Sequence, residues 1–196
     1  MDADTRPFRA PTLPHGAVGE TFPTHINREK PVDGPPYRVL FLSQRNSARS
    51  MMAEAIANSI GRGQIEAFSA GVRPAAQVDP IAAELLQHAG LDVPAHPPQH
   101  VREFSSPQAP PLDFVFTLSD TAAGEAPPLW PGHPITAHWH CADPEQFLDE
   151  AERRIALIRA RTELERRLRV FANLPVRSLD RLSLQAHVDA LGESSH

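Results

Sequence analysis

One stretch limits the fold more than any other: Val39-Leu40-Phe41-Leu42-Ser43, then Gln44-Arg45-Asn46-Ser47-Ala48-Arg49-Ser50, then Met51-Met52-Ala53-Glu54-Ala55-Ile56-Ala57. The first part is an apolar run suited to a buried strand, the second is a polar turn, and the third consists of strong helix formers. A strand whose turn opens directly into a helix belongs to parallel α/β architecture. In such a unit the loop N–H groups and the helix N-terminus converge on one point and favour a phosphate-like anion there. Arg49 is placed to add a bidentate guanidinium fork. Asn46 and Ser47 are expected to brace the turn by hydrogen bonds to its own backbone. Ser50 fits equally a helix cap and a hydroxyl donor to the anion. Arg45 either adds charge at the rim or points to solvent.

The alternation continues along the chain. Hydrophobic patterning and turn residues predict strands at 37–43, 65–69, 113–119 and 135–139. Helices are expected at 50–61, 79–90, about 145–172 and 179–191, with a Pro-rich stretch at 93–111. Asp79-Pro80 supplies an N-cap and first-turn proline, and Gly90 a C-terminal stop. The fold class is therefore α/β: a three-layer sandwich around a central four-stranded parallel sheet, with ligands at the carboxyl ends of the strands, where Ser43 lies. Glu150, Glu152, Arg153, Arg154, Glu163, Arg166 and Arg167 give the long helix a mixed-charge face, expected to be solvated and laced with i,i+4 pairs. Asp143-Pro144 reads as the N-cap and first helical position of that helix.

Residues 1–36 are Pro-rich and polar, without a sustained apolar period, and are expected to form a flexible arm. That arm is either an inert extension or a segment that docks over the site. Residues 37–192 form the folded domain, and 193–196 a short tail.

A formal net charge of −5 argues against a nucleic-acid partner bound by broad phosphate neutralisation. No apolar run reaches the length of about 18 residues that a membrane helix needs, and the N-terminus lacks a signal-like apolar region. A cytoplasmic protein is expected. Cys141 is the only cysteine, so no intrachain disulfide and no C-x-x-C knuckle exists. His138, His140 and Cys141 are the nearest approach to a metal-ligand set. In an extended chain the two histidines face one side and Cys141 the other, so all three cannot easily share one tetrahedral ion. The two imidazoles with a remote ligand suit zinc or copper. No resident cofactor is expected. His96, His100 and His133 lie among prolines and read as surface histidines.

Ser43 to Arg49 has the spacing of the C-x5-R loop of the low-molecular-weight protein tyrosine phosphatases and of the thiol-dependent arsenate reductases that share their fold. Asn46-Ser47-Ala48-Arg49-Ser50 followed by Met-Ala-Glu-Ala is particularly similar to the arsenate reductase branch. Further segments resemble the same family in order: Phe68-Ser69-Ala70-Gly71, Asp113 to Asp120, Ala122-Ala123-Gly124-Glu125, Trp130-Pro131-Gly132, Thr136-Ala137-His138-Trp139 and Asp143-Pro144. The resemblance spans about Tyr37 to Gly192. It implies that Ser43 stands at the position of the nucleophilic cysteine, that residues 43–50 cradle the oxyanion, and that Asp143 is the general acid. It also implies that Ser119 and Ala126 occupy the places of the two further redox cysteines.

A serine hydroxyl titrates far above a thiol and needs a dedicated base to act as a nucleophile, and oxygen cannot relay electrons through an arsenic–sulfur bond. The reading that follows is a degenerate relative that binds arsenate or phosphate for sensing, sequestration or regulation, with a possible protein partner. One alternative is an active reductase or phosphatase using Ser43 or Cys141, the latter as a relocated redox thiol coupled to thioredoxin or glutathione. Another is an interaction scaffold working through the N-terminal arm.

Overall fold

A computed structural model describes residues 34–126 and 130–193. Most of the expected arm, residues 1–33, and the end of the tail, 194–196, lie outside the described residues. The strands are β1 (Tyr37–Ser43), β2 (Ile65–Gly71), β3 (Phe114–Thr117) and β4 (Ile135–His138). The helices are α1 (Arg49–Gly61), α2 (Pro80–His88), α3 (Arg102–Ser105), α4 (Asp120–Glu125), α5 (Glu150–Ala172) and α6 (Arg181–Glu193). All four strands are parallel, in the order β2-β1-β3-β4, with Ser43 opposite Gly71 and Thr117 opposite both Leu42 and His138. Their carboxyl ends therefore lie at one end of the sheet, as the alternating pattern predicts.

The sheet is covered on both faces, which explains why β1 is apolar at every central position instead of alternating. Val39 and Phe41 belong to a core with Phe116 of β3 and with Met52, Ile56, Leu164 and Val188, contributed by α1, α5 and α6. Leu40 and Leu42 face a second, smaller core with Val72, Val115, Ala122 and Trp130. Phe116 of β3 stacks on Trp139 at 4.0 Å, and Phe171 of α5 meets Phe116 edge-on at 5.2 Å. Trp139 also donates its indole N–H to Val188 O at 2.8 Å, which ties the end of β4 to α6. No helix among the described residues is long and apolar enough to cross a membrane.

Some expected boundaries move. Asp143 caps only a short 3-10 turn, Pro144–Gln146, by accepting from Glu145 N–H. The chain then extends at Phe147, and α5 starts at Glu150 with Asp149 as its N-cap, accepting from Glu152 N–H at 2.9 Å. A second cap five residues beyond Pro144 wins because Asp149 opens a helix that can run for 23 residues. β3 ends at Thr117, two residues early, because Ser119 turns the chain by capping α4.

The charged face of α5 is only partly solvated. Arg161 and Arg169 do pair with Glu165 at i,i+4. Arg153, however, reaches across to Asp79, the N-cap of α2, and Arg154 forks onto Glu84 at 3.0 and 2.7 Å. Arg167 is wholly buried; it pairs with Glu163 and donates to His140 O and Gly192 O. These contacts fix α5 against α2 and against the segment after β4.

His96 is not a plain surface histidine. Its Nδ1 lies 2.8 Å from Pro97 O, an atom that only accepts, and its Nε2 lies 3.0 and 3.1 Å from the two carboxylate oxygens of Glu54, itself buried on α1. Both ring nitrogens therefore face acceptors, the arrangement of an imidazolium. Partial burial opposes that charge, but the Pro97 carbonyl and the Glu54 carboxylate outweigh it and raise the His96 pKa. A raised folded-state pKa stabilises fully below the ordinary histidine value of about 6.5 and is lost as pH rises through the folded value. His96→Ala should thus cost more stability near about pH 6 than near about pH 9 in urea unfolding, and an equal cost at both would contradict the pairing.

Candidate functional site

The 43–48 loop is held from outside by its own carbonyls. Ser43 O accepts from Val72 N–H at 3.3 Å, Gln44 O from Arg73 N–H at 2.8 Å, Arg45 O from Ala75 N–H at 2.8 Å, and Ser47 O from Asp79 N–H at 2.9 Å. In a trans peptide the N–H points opposite the C=O. The N–H groups of Gln44, Arg45, Asn46 and Ala48 are accordingly turned away from the 72–79 segment, toward the inside of the loop. Asn46 N–H confirms the direction, since it donates to Ser43 Oγ at 3.0 Å. Among the described residues, the N–H groups of Gln44, Arg45, Ser47, Ala48 and Arg49 have no protein acceptor. Gly71 permits this packing: a Cβ there would lie 3.0 Å from backbone atoms of Gln44, Arg45 and Asn46.

Asn46 is the brace of the loop, with a left-handed φ of 48° that Asn tolerates better than most side chains. Its Nδ2 donates to Ser50 Oγ at 2.9 Å and Ser69 Oγ at 2.8 Å, and its Oδ1 accepts from Gln99 N–H at 2.8 Å. Gln99 in turn donates from Nε2 to Ser69 O at 2.9 Å, and Ser69 donates to Met51 Sδ. These bonds run to Ser50, Ser69 and Gln99 and not to the backbone of the turn, so Asn46 braces the loop from neighbouring elements instead of through the expected bonds to its own backbone. Ser47 is buried and contributes its carbonyl.

Ser43 and Ser50 are both buried, with their hydroxyl oxygens 2.8 Å apart. Ser50 is not a helix cap: α1 has no side-chain cap, and the hydroxyl is committed to Ser43 and Asn46. Each of the two oxygens also accepts a bond from Asn46, Ser43 Oγ from its N–H and Ser50 Oγ from its Nδ2, and either hydroxyl can donate to the other. Among the described residues no histidine or carboxylate bonds to Ser43 Oγ. Among those residues the hydroxyl therefore has no base to make it a nucleophile.

Arg49 opens α1 and is 7% exposed. Its Nη1 donates to Cys141 O at 2.8 Å, and its Nη2 lies 3.1 Å from Asp143 Oδ1. The fold therefore brings Arg49 and Asp143 together across more than ninety residues of sequence. Arg45 stands at the rim, half exposed, paired with Glu145 at 2.9 Å beside a cavity of about 400 Å³ that Ser47, Asp79 and Arg153 also line.

Cys141 supplies its carbonyl to Arg49, while its side chain is buried in the core. Burial, reinforced by the Glu163 carboxylate and only partly offset by Arg49 and Arg167, pushes the thiol up to about 11. A thiol so placed is largely un-ionised at neutral pH, contrary to a redox role. Nor does it join the two histidines. The third group beside His138 and His140 is Asp120. Ser119 caps α4 by accepting from Ala122 N–H at 3.2 Å, and Ala126 follows the same helix. The contributions of Gln99, Glu145 and Asp120 had no signal in the sequence, because each acts across a fold contact from a loop or a helix end.

The profile of the low molecular weight phosphotyrosine protein phosphatases matches residues 38–184. The chain is 31% identical over 137 residues to an arsenate reductase of Shouchella clausii, covering 68% of this chain and 94% of that protein. It is 31% identical over 108 residues to the glutaredoxin arsenate reductase of Synechocystis, covering 55% and 79% of the two chains. The solved arsenate reductase of Archaeoglobus fulgidus superposes with a TM-score of 0.54 at 28% identity, over 69% of this chain and 99% of that one. A parallel β2-β1-β3-β4 sheet, a 43–49 loop with its arginine at the start of α1, and these matches together assign the chain to the low molecular weight phosphotyrosine protein phosphatase family, which includes the arsenate reductases.

Proposed function

We propose that this protein binds a tetrahedral oxyanion, arsenate or phosphate, in the 43–50 loop, and uses that binding for sensing, sequestration or regulation without thiol chemistry. The observation that carries the reading is the orientation of four loop peptides: the carbonyls of residues 43, 44, 45 and 47 are bonded outward, and the N–H groups of residues 44, 45, 46 and 48 that follow them face the same side as the Ser43 hydroxyl. Inward N–H groups at a helix start, beside a buried guanidinium, form an anion site whether residue 43 carries sulfur or oxygen. Relatives named as arsenate reductases support this class of anion.

The chemistry of those relatives does not carry over. Among the described residues Ser43 has no base, burial holds the Cys141 thiol high, and positions 119 and 126 carry no sulfur. Asp143 holds Arg49 through one nitrogen, so an arriving anion meets a guanidinium that is oriented and partly neutralised. The aspartate is also a like charge next to that anion.

Calorimetric titration of the full chain with arsenate and with phosphate should show one anion per chain. Arg49→Ala should weaken it by about tenfold or more, the worth of a charge-assisted hydrogen bond. Asp143→Asn should tighten it by removing the repelling carboxylate. Absence of heat with either anion, or an unchanged affinity in Arg49→Ala, would reject the site. Arsenite production from arsenate with a thioredoxin or glutaredoxin system would reject the non-catalytic role.

The native Cys141 thiol should resist iodoacetamide near about pH 8, where an ordinary thiol is already partly ionised, and should label fully in denaturant. Rapid labelling of the native chain would restore Cys141 as a reactive thiol.

A further inference from the structure

A second group of chemically competent side chains gathers at the carboxyl ends of β3 and β4, outside the loop. His138 closes β4, His140 follows two residues later, and Asp120 opens α4. Asp120 Oδ1 lies 3.1 Å from His138 Nε2 and 3.1 Å from His140 Nδ1. One ligand atom from each of the three lies within 4.8 Å of the other two. We propose that Asp120, His138 and His140 form a binding site for a divalent transition-metal ion of the zinc class.

The chemistry of the donors and their spacing carry the assignment. Two imidazoles and one carboxylate form a nitrogen-rich set that suits zinc, copper or nickel and does not suit magnesium or calcium, which take oxygen ligands. A tetrahedral zinc with bonds of about 2.0–2.1 Å separates its ligand atoms by about 3.3 Å. Two of the three edges here are already within a few tenths of an ångström of that value. Three protein ligands leave a fourth position open to water.

The ligands are also held in place. Trp139 lies between the two histidines and is wholly buried, stacked on Phe116 and bonded to Val188 O, so the neighbouring side chains project to the opposite side. Arg167 donates to His140 O at 3.0 Å and fixes the backbone there. Thr117, opposite His138 in the β3–β4 register, places its hydroxyl 2.8 Å from His138 Nδ1. When Nδ1–H donates to that hydroxyl, the lone pair of Nε2 faces Asp120, the tautomer that a metal requires. All three ligands are exposed, so an ion has an open route in.

The sequence alone offered His138, His140 and Cys141; the fold replaces the thiol with Asp120. The site is independent of the anion reading. It lies one residue before the carbonyl that holds Arg49, so the two sites share the 140–143 segment.

The test is equilibrium dialysis of the untagged full chain against Zn²⁺, with bound metal counted by atomic emission and with Co²⁺ as a visible probe of coordination. One zinc per chain is expected. Asp120→Ala and His140→Ala should each weaken uptake about tenfold or more and remove the cobalt absorption, with far-ultraviolet dichroism unchanged. His187→Ala, at an exposed histidine on α6, should leave both intact. Less than one zinc retained by the wild type, or uptake undiminished in both ligand variants, would overturn the proposal.

Discussion

The row of hydrogen bonds from the carbonyls of residues 43, 44, 45 and 47 to the N–H groups of residues 72, 73, 75 and 79 governs the rest of the site. Each bond fixes one peptide plane, and each peptide plane turned outward by its oxygen presents its N–H inward. The row depends on β1 and β2 being in register, with Ser43 beside Gly71, and on glycine at that position to let the loop backbone approach. A side chain at residue 71 would press on three loop residues at once. The cradle is therefore a property of the backbone and its neighbours, and it survives a change of side chain at residue 43.

The segment from Trp139 to Asp143 connects everything else to that cradle. Trp139 anchors it in the core, the carbonyl of His140 takes Arg167, the carbonyl of Cys141 takes Arg49, and Asp143 reaches the same guanidinium. Two buried arginines from different helices thus hold three of these five consecutive residues. The position of Arg49 is set by partners about ninety residues away, beyond the reach of local pattern. Their geometry is also why Cys141 is sealed: its backbone is needed at the site, so its side chain is turned into the core.

The strand-loop-helix unit, the parallel sheet and the place of Arg49 at the start of α1 were legible because apolar runs, turn residues and helix formers each have a local physical signature; where its guanidinium points was not. Asp79-Pro80 and Gly90 marked α2 for the same reason. Asp143-Pro144 misled, because two capping signals stand within seven residues and only packing decides which one opens the long helix. The solvated reading of the α5 face failed at Arg167, since a charge on a helix is exposed or buried according to what covers it, and here the segment after β4 and α6 supply carbonyls that accept from it. His96 and Asp120 were missed for a related reason: their partners Glu54, His138 and His140 are near only in the folded chain.

The central claim is that the loop is electropositive by virtue of its backbone and Arg49, with or without sulfur. The most direct measurement is the ionisation of a thiol placed there by Ser43→Cys, read from the pH dependence of iodoacetamide alkylation. Inward N–H groups, the Ser50 hydroxyl and Arg49 should hold that thiol below the ordinary value of about 8.5, and Arg49→Ala in the same chain should raise it. A thiol at residue 43 that ionises at or above the ordinary value, as the buried Cys141 does, would contradict the claim.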